Sequence, residues 1–402
     1  MASSGLIETL PDVSNIFVFM ADAVRWDHLP TEVRKQGMSI KTVAASLTTH
    51  SSLPTMVSGL WPNRHQVLSW NNQIPEITHL LNHPNYNTGY YQPGEDSHQD
   101  GTFSILNIDT PTPLEELIED GDDWIYFERH HGGHAPFNAI EPWERSWNEW
   151  VEKYAGNPKK HQDDYKKAVS ETAADFRLRL QQMDEANVLD ETLIIFCSDH
   201  GEYLGERGLV GHSSPIGPEG VYVPTVFIHR DLPSYTTING IMRHVDLYPT
   251  ILDSLDIQIP DYVDGHSIRT HTPETGYCTS VSNKYIRGRT YKIGQEHSVW
   301  DNNGGYAISE TSVPRRLLIA GNQVVSSSWQ ARHLQARRSV TEYWRSIKPY
   351  LFPTRTYGTP AFSLETAKAQ IRKITELPPI DEQQSNRINT DTEEHLKELG
   401  YL

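Results

Sequence analysis

The stretch TLIIFCSDHGEYLGERGLVGH, residues 192–212, leaves this chain few ways to fold. Its apolar run, Leu193-Ile194-Ile195-Phe196, reads as a strand buried on both faces, which is the habit of a parallel sheet. The run stops at Ser198-Asp199-His200-Gly201-Glu202. A carboxylate and an imidazole therefore stand just past a strand's carboxyl end, where open α/β sheets hold their ligands. Gly201, Gly205, Gly208 and Gly211 permit tight turns, and His212 comes directly after them. Alone, the block has two readings: an Asp capping the next helix beside a solvated His, or part of a metal site.

The rest of the chain repeats the same grammar. Asn15 to Met20 forms a first apolar strand that ends at Asp22, again a carboxylate at a strand's carboxyl end, with a helix N-cap as the ordinary alternative. Residues 44–67, AASLTTHSSLPTMVSGLWPNRHQV, place Leu53, Met56 and Val57 at helical spacing, with Gly59 and Pro62 as stop signals. Thr48 and Thr49 fall at that helix's start, where outward N–H groups favour an anion; an N-cap role is the alternative. Tyr86–Gln92 and Asp123–Phe127 are further strands, the second leading into a His-rich loop with His130, His131 and His134. That loop suggests metal or anion binding; an exposed His/Gly loop is the alternative.

Lys159–Asp190 carries the apolar stripe Tyr165, Val169, Ala173, Phe176, Leu180 and Met183, a core-facing crossover helix that feeds the Leu193 strand. Val223–His229 reads as a strand and Asp246–Leu255 as a helix. This alternation predicts a doubly wound, mostly parallel sheet with helices on both faces. After a Pro/Asp/Gly-rich break at 259–267 come short strand-like pieces around Tyr285, Thr290–Ile293 and Leu317-Leu318-Ile319, read as a small antiparallel subdomain. The expected division is 1–265 for the catalytic α/β domain, 266–350 for the subdomain and 351–402 for a surface-wrapping tail ending in a short helix.

Composition narrows the partners. A net charge of −17 over 402 residues argues against nucleic acid, whose phosphates need a basic face. Two cysteines, Cys197 and Cys278, rule out a disulfide framework or a CxxC zinc site. The N-terminal segment lacks the basic and apolar regions of a signal peptide, and no run approaches the roughly 20 apolar residues that span a bilayer. The expectation is a cytoplasmic protein with no membrane partner and an open oligomeric state.

Taken in order, these pieces resemble the sulfatase family of the alkaline phosphatase superfamily. Asp22 matches the family's first metal ligand. Thr49 to Gly59, continuing through Leu60-Trp61-Pro62-Asn63-Arg64-His65, resembles the nucleophile helix and the family's Gly-x-Tyr-Pro-x-x-His segment after it. His134-Ala135-Pro136-Phe137 looks like a substrate-contacting segment, and Ser198–Glu202 with Gly211-His212 looks like the second ligand block and its basic residue. Asp246–Thr250 and His395–Tyr401 also resemble family segments. One departure stands out. The family's formylglycine arises from a Cys or Ser in a Cys/Ser-x-Pro-x-Arg motif, whereas this chain has Thr49, Ser51 and Leu53 in the three defining slots. Thr cannot become formylglycine, and a Thr nucleophile is typical of relatives that hydrolyse or transfer phosphate esters.

The resemblance implies a divalent cation (Mn, Mg, Zn or Ca) held by Asp22, Asp199, His200 and Thr49, with Thr49 as nucleophile and His212 or His134 as acid. A Thr hydroxyl needs such activation. His130 and His131 leave a second metal open, with the pocket mouth as their alternative place. The expected activity is hydrolysis or transfer of phosphate or sulfate esters through a covalent intermediate, phosphate being favoured by Thr49. The substrate would be a small-molecule, glycan or lipid-head ester. The alternatives are a silent sulfatase-like protein that binds an anionic ligand, and an isomerase of the same superfamily.

Overall fold

The computed structural model describes residues 5–93, 101–135, 137, 147–212, 215–286, 289–326 and 328–380. Pro136, the terminal helix expected at 392–402 and the family-like segment at 395–401 lie outside the described residues. Seven strands build the main sheet: β1 (Asn15–Ala21), β2 (Met38–Val43), β3 (Asn87–Tyr91), β4 (Trp124–His130), β5 (Thr192–Cys197), β6 (Tyr222–Ile228) and β7 (Thr236–Arg243). Their order is β3-β4-β1-β5-β6-β2-β7. β6 alone runs against its two neighbours, β5 and β2; the other pairings are parallel. The carboxyl ends of β1, β2, β4, β5 and β7 therefore share one edge, and the candidate residues collect there.

Side-chain alternation along β1 divides the core in two. Ile16, Val18 and Met20 face one side, with Leu53, Met56 and Val57 of helix α1 (Thr49–Ser58). Phe17, Phe19 and Ala21 face the other, with Tyr165, Val169 and Phe176 of helix α2 (Pro158–Glu185). Helix α3 (Leu247–Ser254) joins the α1 side through Leu247, Tyr248 and Ile251. Fully burying one such side chain stabilises by roughly 1.5–3 kcal/mol. Two covered faces explain why these strands are apolar throughout and not alternating.

The second sheet is antiparallel: β8 (Gly276–Ile286), β9 (Arg289–Trp300), β10 (Gly304–Ser309) and β11 (Thr354–Gly358). Between its last two strands the chain makes three helices, α4 (Val313–Val325), α5 (Trp329–Arg337) and α6 (Val340–Leu351); α7 (Leu364–Thr375) comes after β11. Each of the four is preceded by a serine: Ser312, Ser328, Ser339 and Ser363. The last three accept a backbone N–H with their hydroxyls, the usual N-cap device.

Three local expectations differ. Leu317-Leu318-Ile319 is the middle of α4, not a strand: three apolar residues carry no period, and Ser312-Val313-Pro314 ahead of them is a helix start. The crossover helix ends at Glu185, five residues early, and a 3-10 turn at Leu189–Glu191 leads into β5. Pro62 does not stop a helix but opens a single turn, Pro62–His65, as its fixed φ allows.

Candidate active site

Each candidate side chain is aimed by a backbone reason. Asp22 is the residue after β1, and its own N–H donates to the His130 carbonyl, 2.9 Å away at the end of neighbouring β4. One of its oxygens, Oδ2, is gripped by the guanidinium of Arg129. Asp199 is two residues past β5. Its Oδ1 accepts the backbone N–H of Ala23 (3.2 Å) and of His200 (3.0 Å). His200 Nδ1 lies 3.0 Å from the Gly201 carbonyl, which accepts only if that nitrogen carries the proton, so Nε2 is left with its lone pair.

The atoms left over all point at one place. Asp22 Oδ1 and Asp199 Oδ2 are fully buried and accept no hydrogen bond. They lie 3.5 and 3.6 Å from His200 Nε2, and Thr49 Oγ1 lies 3.4 Å from the same nitrogen. Burying lone pairs of this kind uncompensated is costly. Two carboxylate oxygens, an imidazole nitrogen and a hydroxyl around one point are instead the donor set of a divalent cation. The ligand atoms of Asp22, Asp199 and His200 fall within 4.8 Å of one another, the spread a single ion requires. The residues fit a cation.

Thr49 arrives by another route. β2 ends at Val43, the chain then crosses the sheet edge, and α1 begins at Thr49, which is 3 % exposed. Thr48 has the extended N-cap backbone, but its hydroxyl makes no cap bond; it meets Ser46 Oγ at 3.3 Å and His50 Nε2 at 3.2 Å. The first turn of α1 is thus left facing the cation site. At its other end α1 stops at Gly59 (φ +68°), where a Cβ would press to 2.7 Å from Val263.

His134 is delivered by the Gly132-Gly133 turn, which folds directly over Asp22. Gly133 N–H donates to the Asp22 carbonyl at 2.7 Å, and a Cβ on Gly132 (φ +54°) would come within 2.1 Å of that oxygen. His134 Nε2 meets His212 Nε2 at 3.1 Å. His212 Nδ1 bonds the Leu47 carbonyl at 2.9 Å as donor, so in the neutral pair His134 carries the shared Nε2 proton. The His212 ring stacks on that of His200 with centroids 4.4 Å apart. Burial and the neighbouring imidazole of His200 hold both rings neutral, His134 down to about 3 and His212 well below the ordinary value. Thr49, Asp22, Asp199, His200, His134 and His212 are therefore gathered at one place by five separate segments.

His130 does not join them, whereas His131, half-buried, lies close enough to Asp22 and Arg129 to feel their charges. His130 and Glu128, two apart on β4, share a face and pair at 2.7 Å, with His130 stacked on Phe19. Among the described residues one group with metal-ligand spacing occurs, the Asp22–Asp199–His200 set. Arg64 is committed to Asp264 at 2.7 Å.

Three neighbours of the site have no role legible in the sequence, although Glu202 closes the Ser198–Glu202 block. Arg129 falls between Glu128 and His130 and so emerges on the opposite face, toward Asp22. Arg25 is buried against Glu206 (2.6 Å) and Asp27 (2.7 Å) and ties the β1 loop to the loop after β5. Glu202 is fully buried with neither oxygen hydrogen-bonded, and burial beside Asp22 pushes its pKa well above the carboxylate range. Strand alternation from Glu128 is the one sequence signal for Arg129; Glu202 stands in the Ser198–Glu202 block but its burial, like the place of Arg25, emerges only from three-dimensional packing. Beside the imidazole pair opens a cavity of about 260 Å³, lined by His134, Glu202 and His212 on one side and by Asn322, Gln323 and Trp329 on the other.

Residues 112–257 match the family described as Sulfatase. A low-salt glycan biosynthesis sulfotransferase of Haloferax volcanii is 28 % identical over 400 residues, covering 96 % of both chains. Among solved structures, a 2-O GAG sulfatase superposes over 96 % of this chain and 92 % of its own, at 12 % identity and a TM-score of 0.57. The phosphonate monoester hydrolase of Agrobacterium radiobacter superposes over 84 % and 96 %, at 13 % identity and 0.53. The fold is the alkaline-phosphatase-like one of these proteins.

Proposed function

From the chain's place among the sulfatase-like ester hydrolases and transferases of the alkaline-phosphatase-like superfamily, we propose that Thr49 is its nucleophile and that Asp22, Asp199, His200 and Thr49 hold a single divalent cation. One observation carries this reading: the four donor atoms left unused by every other interaction converge within a few ångströms. A bound cation would favour the Thr49 alkoxide and offset charge on the transferred group.

The chain's own groups account for the remaining steps. Thr49 Oγ1 attacks the phosphorus or sulfur in line, and the ester on Thr49 forms as the bond to the leaving oxygen breaks. The proton that Thr49 gives up passes to the His134–His212 pair, and the imidazolium so formed delivers it to the leaving oxygen. An incoming hydroxyl then returns its proton to the same imidazole pair as it displaces Thr49. Proton transfer of this kind is worth about 10²–10⁴-fold. Arg129 grips one oxygen of Asp22 and so orients the other toward the cation site.

The end-to-end likeness to a glycan sulfotransferase supports transfer of a sulfuryl group to an acceptor hydroxyl, and the cavity beside His134 and His212 gives an acceptor room. Thr49 favours phosphoryl, so both esters belong in the test. Nitrophenyl sulfate, nitrophenyl phosphate and the bis-nitrophenyl diester are assayed with Mn²⁺ or EDTA, with and without sugar acceptors, and Thr49 peptides are searched by mass for the trapped ester. Metal-dependent cleavage with an adduct on Thr49 is expected. Full activity in Thr49→Ala would overturn the nucleophile; no turnover with any ester or metal would leave the silent, anion-binding alternative.

A further inference from the structure

The apolar surface of this protein is concentrated in one place. Among the described residues, eleven large apolar side chains are exposed, and seven of them belong to the helical unit α4–α6 or its end at Phe352. On α4, Arg316, Ile319 and Ala320 are buried against the rest of the unit. The opposite face presents Val313, Leu317, Leu318 and Val325, from 52 to 79 % exposed, with Gly321 between them and nothing within 4 Å of where its Cβ would be. The exposed surface of this helix is thus mainly apolar, with Arg315 and Asn322 at its border, the reverse of an ordinary surface helix. On α6, Val340, Trp344 and Lys348 recur every four residues, with Val340 84 % and Trp344 55 % exposed, and Arg345 beside them.

The charge of the unit is also inverted. Residues 313–352 hold seven Arg and Lys and one acid, Glu342, in a chain whose net charge is −17. Arg337 engages that single acid at 2.6 Å, which leaves the stretch strongly cationic. Exposed leucine and valine, a tryptophan and a run of basic residues on short helices are the ingredients of an interfacial membrane anchor. No helix among the described residues is long and apolar enough to cross a bilayer, and lying in the interface needs no such helix.

We propose that α4 and α6 dock this protein on an anionic membrane surface, with the apolar face of α4 and Trp344 entering the headgroup boundary and the basic residues meeting lipid phosphates. A second copy of the chain is a poorer occupant, because a two-fold contact would press two strongly cationic patches together. Asn322, one turn from Leu318 on the flank of α4, lines the cavity beside His134 and His212. Docking therefore places against the bilayer a helix that walls the cavity, within reach of a membrane-borne acceptor or donor. The sequence expectation of no membrane partner rests on the lack of a spanning segment, a criterion blind to this kind of contact.

The test is sedimentation of the full chain with vesicles of phosphatidylcholine alone or with phosphatidylglycerol mixed in, a readout independent of ester chemistry. Binding to the mixed vesicles that falls as salt is raised is expected. The pair Leu317→Glu and Leu318→Glu should lower the bound fraction at least about tenfold, and Arg345→Glu with Lys348→Glu should do so for the anionic vesicles, with thermal unfolding unchanged in both. No binding to mixed vesicles, equal binding to phosphatidylcholine alone, or undiminished binding by both variants would overturn the proposal. So would a wild-type dimer that the Leu317 and Leu318 substitutions dissociate.

Discussion

The carboxyl edge of the main sheet and the α4–α6 unit break the rule of apolar inside and polar outside in opposite directions. At the sheet edge, charged and polar groups are sealed in: Asp22, Asp199, His200 and Glu202 are all at 0 % exposure. On α4 and α6, leucine, valine and tryptophan face outward. A fold selected for stability alone has no use for either arrangement, since unpaired buried lone pairs and bare apolar faces both cost free energy. The difference lies in what relieves the cost. Lone pairs converging on a point are relieved by a small cation, and a broad apolar face by a broad apolar phase. The size and shape of the violation indicate the size and shape of the missing partner.

Thr49 is the most sensitive position of the buried edge. If the buried edge is catalytic, Thr49→Ala should lower kcat by about 10⁴-fold or more, as removal of a nucleophile does, with the fold intact by circular dichroism. His134→Ala and His212→Ala should each cost about 10²–10⁴-fold, and the double variant little more than either single one, because the two rings share one proton and act as a unit. Additive losses would mean separate roles for the two rings.

Stability should respond to the converging charges as well. In Asp199→Asn the side-chain oxygen at the Oδ1 position still accepts the backbone N–H groups of Ala23 and His200, while one of the converging negative charges is removed. In EDTA the variant should melt at or above the wild-type temperature. With Mn²⁺ the wild type should gain about 2.7 kcal/mol at a hundredfold excess over its dissociation constant, and the variant little. A wild type insensitive to EDTA and to every divalent cation would remove the reason for these groups to be buried together.

How far the sequence reaches obeys the same division. β1 and β5 are legible because burial on both faces makes them continuous apolar runs, and the residue after such a run is placed by topology alone; hence Asp22, Asp199 and His200 stand out. Thr49 is reached through the helix start and Gly59, whose left-handed φ is written in its identity. β2 and β7 are not legible: MSIKTV and TTINGIMR mix Ser, Thr, Lys and Asn with the apolar residues, and only pairing across the sheet makes strands of them. α4 passes for a strand because its Leu-Leu-Ile run is three apolar residues in a row, too short a window to show the helical period that the whole of Val313–Val325 carries.

Two leucines give the finest version of the comparison. Leu193, in β5, has no exposed surface and belongs with Ile16 and Ile195 to the core on the α1 side of the sheet; Leu318, on α4, is 64 % exposed. Truncating Leu193 to Ala removes buried contacts and leaves a cavity, which should cost about 2–5 kcal/mol in chemical denaturation. Truncating Leu318 to Ala removes almost no buried contact and substitutes the residue of highest helix propensity, so the change should stay within about 0.5 kcal/mol. If Leu318→Ala instead destabilises the chain as Leu193→Ala does, the face of α4 is already covered by the protein itself. The exposed leucines would then belong to its core, and the two regions would differ in degree and not in kind.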